Sequence, residues 1–236
     1  MVLSNVIDRF RLRCIAGLLL LWLGVLTACA DSGPTESDLV LIRVGSHSVT
    51  LAQFKMAREL ELLAYPYQMR RNREAMHRLH RRLLKSMVEE LLAAERASEL
   101  GITVDDDQLA AAVAAVTEDY PKGEFEKTLL DCAVPLAFWK ERLRARLLMQ
   151  RVIDAELDDG VAVTQEELQQ FMGSRSAEGG SLDTLTDAQI VVRVRRIKFE
   201  KAYTRWLADL KQRFPAEINP STWQRLEQPR NSANSG

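Results

Sequence analysis

Residues 76–104 read MHRLHRRLLKSMVEELLAAERASELGITV, and the rest of the chain has to be arranged around them. Met76, Leu79, Leu83, Met87 and Leu91 recur at steps of three and four, Leu84, Val88 and Leu92 widen the stripe, and charge fills the other side. That is the pattern of an amphipathic helix. Gly101 is placed to cap it in the left-handed conformation, and the β-branched run Ile102-Thr103-Val104 does not continue it comfortably. At about 1.5 Å per residue the helix is about 35–40 Å long. One neighbour cannot bury such a length, so several other segments must pack along it.

Upstream, residues 1–28 read as an export signal and not as part of the fold. Arg9, Arg11 and Arg13 form a positive start, and Ile15–Leu26 is an apolar run too short to span a bilayer comfortably. Leu26-Thr27-Ala28-Cys29 then has the form of a bacterial lipobox, in which Cys29 becomes the acylated N-terminus. An ordinary secretory peptide or a short membrane anchor is the plainer alternative. Several acyl chains, each methylene contributing about 0.8 kcal/mol, would hold the protein on a membrane. Ala30 stands where an Asp would signal retention in the inner membrane, which points to the outer one. Residues 29–38 read as a polar tether, with a coil reach on the order of 15 Å.

Removing residues 1–28 takes away three arginines and Asp8, leaving 29 basic and 32 acidic residues. That balance excludes a nucleic-acid binder of the usual kind. With Cys14 in the signal and Cys29 lipidated, Cys132 is left alone and no intrachain disulfide is expected. About 200 residues can bury a proper core, and their wealth of Leu, Ala, Glu and Arg makes it mostly helical.

Leu39–Val44 reads as a strand, Gly45-Ser46 as a turn and His47-Ser48-Val49 as a short returning strand. Thr50 and Gln53 form a T-x-x-Q capping box that opens a helix through Leu63, which Pro66 ends. After the long helix, Asp105 caps another, with Leu109, Val113 and Val116 on one face. Tyr120-Pro121, Phe125 and Leu129-Leu130 follow, then a helix from Pro135 with Trp139, Leu143, Leu147 and Ile153 as its stripe. Thr164 and Glu167 make a second capping box. This ordered series, over roughly residues 38–171, resembles the N-terminal domain of the SurA and PrsA-like periplasmic foldases.

Larger members of that family carry parvulin-type prolyl isomerase domains after this point. Here residues 172–187 (MGSRSAEGGSLDTLTD) form a Gly/Ser-rich connector too short to bury a core. No histidine lies beyond His80, so the histidines of a parvulin site have no counterpart. Residues 188–226 then resume as a helix, with Ile197, Tyr203, Trp206, Leu207 and Leu210 apolar, and a short strand at Ala216–Asn219. The resemblance implies that this C-terminal piece returns, with Glu217-Ile218 pairing on the Leu39–Val44 hairpin. Residues 227–236 are polar and expected to be disordered. The fold class is therefore mainly α: a SurA N-terminal-like helical domain (39–171) with a small hairpin or three-stranded sheet, completed by a C-terminal helix.

No group of residues carries catalysis. His77 and His80 at i, i+3 could present two imidazoles to a metal, but arginines surround them and a solvated basic face explains them better. Asp105-Asp106-Asp107 reads as a helix cap and not as a cation site. The run Arg70, Arg71, Arg73, Arg78, Arg81, Arg82, Lys85 suits anionic headgroups and a plain solvated face equally. Cys132 has no base beside it. No metal, cofactor or nucleotide motif is present, and ATP has nowhere to bind.

Binding remains. Tyr65, Tyr67, Met69, Tyr120, Phe138, Trp139, Tyr203 and Trp206 serve either as core or as a groove for extended apolar polypeptide; the resemblance implies the groove. The expectation is a non-catalytic, membrane-tethered periplasmic chaperone for unfolded or extended exported chains. An accessory lipoprotein subunit of an envelope assembly or secretion complex is the alternative, and a prolyl isomerase a weaker one.

Overall fold

Leu41, Ile42 and Val44 are fully buried, and the strand that carries them, β1 (Val40–Val44), is the middle of a three-stranded antiparallel sheet of order β2-β1-β3. The computed structural model describes residues 35–157, 162–177 and 186–227. The export signal, Cys29, the middle of the expected connector and the 228–236 tail lie outside them. β2 (His47–Thr50) pairs through a two-residue turn, Val44↔His47 and Arg43↔Ser48. Two neighbouring residues, Leu41 and Ile42, are both buried because the β1/β2 register shifts between Val40 and Ile42, a bulge that turns one more side chain inward.

β3 (Ala216–Ile218) lies on the other side of β1, with Ile42↔Ile218 and Arg43↔Glu217, as the resemblance implied. The Asn219 amide extends the ladder to the Leu41 carbonyl at 2.9 Å. Three residues long and bounded by Pro215 and Pro220, β3 offers little free edge to another chain.

The helices in order are α1 (Leu51–Leu62), α2 (Arg73–Leu100), α3 (Asp106–Thr117), α4 (Glu124–Asp131), α5 (Leu136–Leu157), α6 (Gln165–Ala177), α7 (Asp187–Arg213) and α8 (Pro220–Glu227). A single 3₁₀ turn (Tyr67–Arg71) leads into α2. Local signals start three of them where caps were read, while α2 begins at Arg73, capped by Asn72, three residues before Met76. Thr50 and Gln53 close the capping box of α1, Asp105 and Gln108 that of α3, and Thr164 and Glu167 exchange the same bonds before α6. Gly101 ends α2 with φ 66°.

α2 is the axis. Its Leu83, Met87, Leu92, Ala93 and Ala97 join the sheet's Leu41, Ile42 and Val44, Phe54 of α1, Val152 of α5 and Trp206, Leu207 and Leu210 of α7 in one core. Arginines fix the helices around it. Arg142 of α5 grips both carboxylate oxygens of Glu90, and Arg144 and Arg151 donate to the carbonyls of Val104 (2.8 Å) and Thr103 (2.6 Å) just past the end of α2. Glu156 of α5 accepts from Arg96 of α2 and, at 2.6 Å, from the Trp206 indole of α7. Burial would raise the Glu156 carboxyl, but those bonds outweigh it and hold it below the ordinary range.

Three boundaries differ from the sequence reading. α6 continues to Ala177, six residues into the stretch read as connector; one glycine inside a helix costs only about 1 kcal/mol, and Lys198 of α7 braces the helix at Glu167 (2.8 Å). Residues 36–38 of the expected tether form a turn, joined to α1 by the Ala52 amide on the Glu36 carbonyl (3.2 Å). And α8 was not anticipated. Its signal is Asn219-Pro220: the Asn219 side chain accepts from the amides of Ser221 (3.1 Å) and Thr222 (3.2 Å), with proline at the first helical position.

The hairpin turn depends on a carboxylate from α2. Glu95 accepts from the amides of Ser46 and His47, from the Ser46 hydroxyl (2.9 Å) and from the His47 ring (2.8 Å). Burial acts to raise its carboxyl, and these donors bring it below the usual range. Gly45 has φ 53°, and a Cβ there would collide with that carboxylate. Glu95→Ala is expected to cost about 2–3 kcal/mol in urea unfolding, because two turn amides lose a charged acceptor; a loss under about 0.5 kcal/mol would show that the turn holds itself. Ala133, at φ 53°, ends α4 in the left-handed region, with the Val134 amide returning to Leu129 (2.9 Å). Ala133→Gly should therefore raise stability by about 0.5–1 kcal/mol in the same measurement.

Candidate functional site

A cleft of about 350 Å³ opens where the end of α1 faces α3, α4 and α5. Its floor is Ala57 and Leu83, both buried. One wall is a ladder of three rings: Tyr120 meets Phe125 edge to face (5.2 Å, 73°), and Phe125 meets Trp139 the same way (4.6 Å, 68°). Geometry of this kind adds to the burial energy of each ring and holds the wall rigid. Behind it Phe125, Leu129 and Val134 form a small core of their own, which Leu60 and Trp139 extend.

The mouth is apolar and wet. Leu63, Val116 and Tyr120 are 46%, 41% and 47% exposed while lining the opening. Leu130, on the next turn of α4, is 77% exposed. Arg142 contributes its stem only, since its guanidinium is committed to Glu90. Glu61 and Arg146 stand at the rim with no side-chain partner among the described residues. Such a site can accept an apolar side chain with its backbone in water. Its other polar lining groups are Thr128, whose hydroxyl donates to the Glu124 carbonyl at 2.8 Å, and Tyr120.

Of the eight candidate binding residues, Tyr120 and Trp139 come together here. Phe138 is half-buried between the two cores. Tyr203 and Trp206 lie in the α7 packing: Tyr203 stacks on Phe199 (5.8 Å), and burial, with Glu89 beside it, pushes its phenol up to about 12. Tyr65, Tyr67 and Met69 occupy the corner between α1 and α2. Leu60, Leu63 and Val116 were missed as site residues. Aliphatic residues at helix ends look like core in a sequence, and only tertiary packing leaves these half-open.

The two histidines depart from the expected solvated face. His80 is 7% exposed, in edge contact with Phe54 (6.0 Å) and with Trp223 of α8 (6.4 Å). Its Nε2 is buried without a hydrogen-bond partner. His77 pairs with Glu227 at 3.0 Å, and both histidines line a second cavity of about 500 Å³ under the end of α8. Among the described residues no three His, Cys, Asp or Glu side chains are grouped to hold a metal ion. Burial first, and then Arg58 and His77, lower the His80 imidazole to about 4 against the opposing effect of Glu227.

The SurA-like N-terminal domain family matches residues 9–153, more than half of the chain. Among similar curated proteins, a chaperone SurA of Methylobacillus flagellatus is 27% identical over 117 residues, 49% of this chain and 27% of its own length. One from Polaromonas sp. is 28% identical over 175 residues, 71% of this chain and 36% of its own. Another, from Chromohalobacter salexigens, is 28% identical over 108 residues. The chain thus spans about a quarter to a third of the length of the curated relatives it matches. Among the described residues no helix is long and apolar enough to cross a membrane.

The buried imidazole makes stability depend on pH. The unfolded chain takes up a proton near pH 6.5 and the folded one only near 4, so stability is complete above 6.5 and falls as the pH drops toward 4. The loss between pH 7 and pH 4 is expected to be about 3 kcal/mol from this group. His80→Phe should remove that part of the acid dependence in urea titrations; an unchanged dependence would place the acid sensitivity elsewhere.

Proposed function

Since the chain belongs to the SurA-like N-terminal domain family, we propose that it is a non-catalytic chaperone of the periplasm that holds unfolded or extended exported polypeptides. The observation that carries this reading is the cleft: a rigid ring ladder on one side and half-exposed aliphatic residues at the mouth. Each mouth residue has roughly half its surface still to bury, which is worth about 1 kcal/mol on contact. Contacts of that size sum to weak, reversible capture, which suits a protein that must release what it holds.

In the same reading Cys29 carries the lipid and tethers the body to the outer membrane. The relatives named chaperone SurA support the function, and the form of residues 26–29 supports the tether.

The test is suppression of aggregation of several unrelated denatured proteins by the full chain, with and without Leu63→Glu plus Tyr120→Glu. Both positions are nearly half exposed, so the fold should tolerate the changes. Suppression by the wild type and a roughly thirtyfold loss of potency in the variant are expected, since about 2 kcal/mol disappears with the two contacts. Equal potency would remove the cleft from the function. Tight one-to-one recovery of a single protein from envelope extracts would replace the chaperone by a complex subunit.

A further inference from the structure

Between α1 and α2 the surface has a different character from the cleft. Residues 66–68 and 70–74 are all exposed, and Tyr67 is 67% exposed. The Arg71 guanidinium lies 5.7 Å from the centre of the Tyr67 ring. Arg82 lies over the Tyr65 ring (5.9 Å) and donates to its hydroxyl at 3.1 Å. Arg78, Arg81, Arg82 and Lys85 follow at i, i+3, i+4 and i+7 on one side of α2. Two tyrosines and a band of guanidinium groups therefore share one corner of the body.

Carboxylates answer only part of this charge. Arg70 has Glu59 (2.6 Å), Arg78 has Glu74, and Lys85 reaches Glu89 at 3.8 Å. Arg71, Arg81 and Arg82 form no ion pair among the described residues, and the Arg81 side chain is exposed, with no hydrogen bond to any of them. The whole chain has a formal net charge of −1, so the band is a local concentration and not part of a general basic balance. It repels itself, and of its members only Arg70, on Glu59, and Arg82, on Tyr65, hold one segment of the fold to another.

We propose that this corner docks on an anionic lipid bilayer, with Arg71, Arg81 and Arg82 on headgroup phosphates and Tyr67 at headgroup level. Guanidinium matches phosphate oxygens two at a time. Tyrosine, with its apolar ring and polar tip, settles at the membrane–water boundary. A run of exposed side chains on a corner suits a plane of laterally mobile headgroups better than the shaped recess that one acidic protein would offer. Stacking on nucleic-acid bases would need open ring faces, and a guanidinium already covers one face of each tyrosine. The docking does not depend on lipidation at Cys29 or on the chaperone reading.

The experiment is flotation of the full chain with neutral phosphatidylcholine vesicles and with vesicles containing one-third phosphatidylglycerol. Wild type is compared with R81Q and with R71Q/R81Q/R82Q. Neutral vesicles report whatever the apolar residues 15–26 contribute, and comparing variants cancels the N-terminal arginines. Each arginine near an anionic surface is worth about a fivefold change in partitioning. The preference for anionic vesicles should drop about fivefold in R81Q and about a hundredfold in the triple variant, with neutral-vesicle binding unchanged, and it should fade with added salt. R81Q touches no packed contact and keeps the test valid if the triple variant misfolds. The same anionic preference in R81Q and a folded triple variant, or none in the wild type, would overturn the proposal. So would binding to polyglutamate or DNA that is lost in the variants while lipid binding persists.

Discussion

Everything in this fold depends on a single strand having a neighbour on each side. β1 buries Leu41, Ile42 and Val44 completely, and its two partners come from positions about 170 residues apart in the sequence. A lone hairpin is marginal in water, whereas three strands against a helix are not. The C-terminal segment is thus structural: without β3, one whole side of β1 would lose its ladder partner, and buried backbone groups without partners are costly. The distant closure also explains why α7 must be held where it is. Trp206 bonds Glu156, Glu156 bonds Arg96, and Arg213 reaches Glu99, so one polar chain ties α7 to α2 and α5 just before β3 begins. Packing alone could bring α7 to the body; these directional bonds fix its rotation and hence the register of the strand that follows.

Most of that was legible because the relevant signals are local or periodic. The stripe of α2, its Gly101 cap and the capping boxes at Thr50, Asp105 and Thr164 need only a few neighbouring residues to be recognised. What escaped was tertiary. His80 reads as one more polar residue among arginines, and only the return of α8 puts Trp223 over it and removes it from water. α8 itself was hidden because Pro220 reads as a stop, although proline is equally suited to a helix's first position. At the site, aromatic residues were the natural suspects, yet two of the three half-exposed residues at the cleft's mouth are Leu63 and Val116. Tyr203 and Trp206 were suspects for the same reason, and the closure of α7 used them for packing.

The cleft has its own physical logic. A ring wall fixed by edge-to-face contacts loses no side-chain freedom when something binds, so its small apolar contribution is not spent on ordering. Its charged groups, Glu61 and Arg146, stand at the exposed rim where water serves them, and discrimination between sequences arises where buried polar groups would be left unpaired. Rigid, shallow and apolar is a combination that binds many chains a little. Glu61 and Arg146 at the rim, one of each sign, add no net preference for charge.

Cleft and basic corner are joined by the chain itself. Leu63 and Ala64 line the cleft, and the next residues, Tyr65 to Arg71, carry the tyrosines and the first arginines of the corner. With consecutive Cα atoms about 3.8 Å apart, the chain from Ala64 at the mouth to Tyr67 at the corner reaches at most about 11 Å. A body lying on a bilayer by that corner would hold the Leu63 end of its cleft near the headgroups. The orientation would come from a few arginines, each contributing weakly and each sensitive to salt. A surface of that kind lets the body rock on and off the membrane while the apolar site stays permanently formed, which separates the control of position from the control of binding.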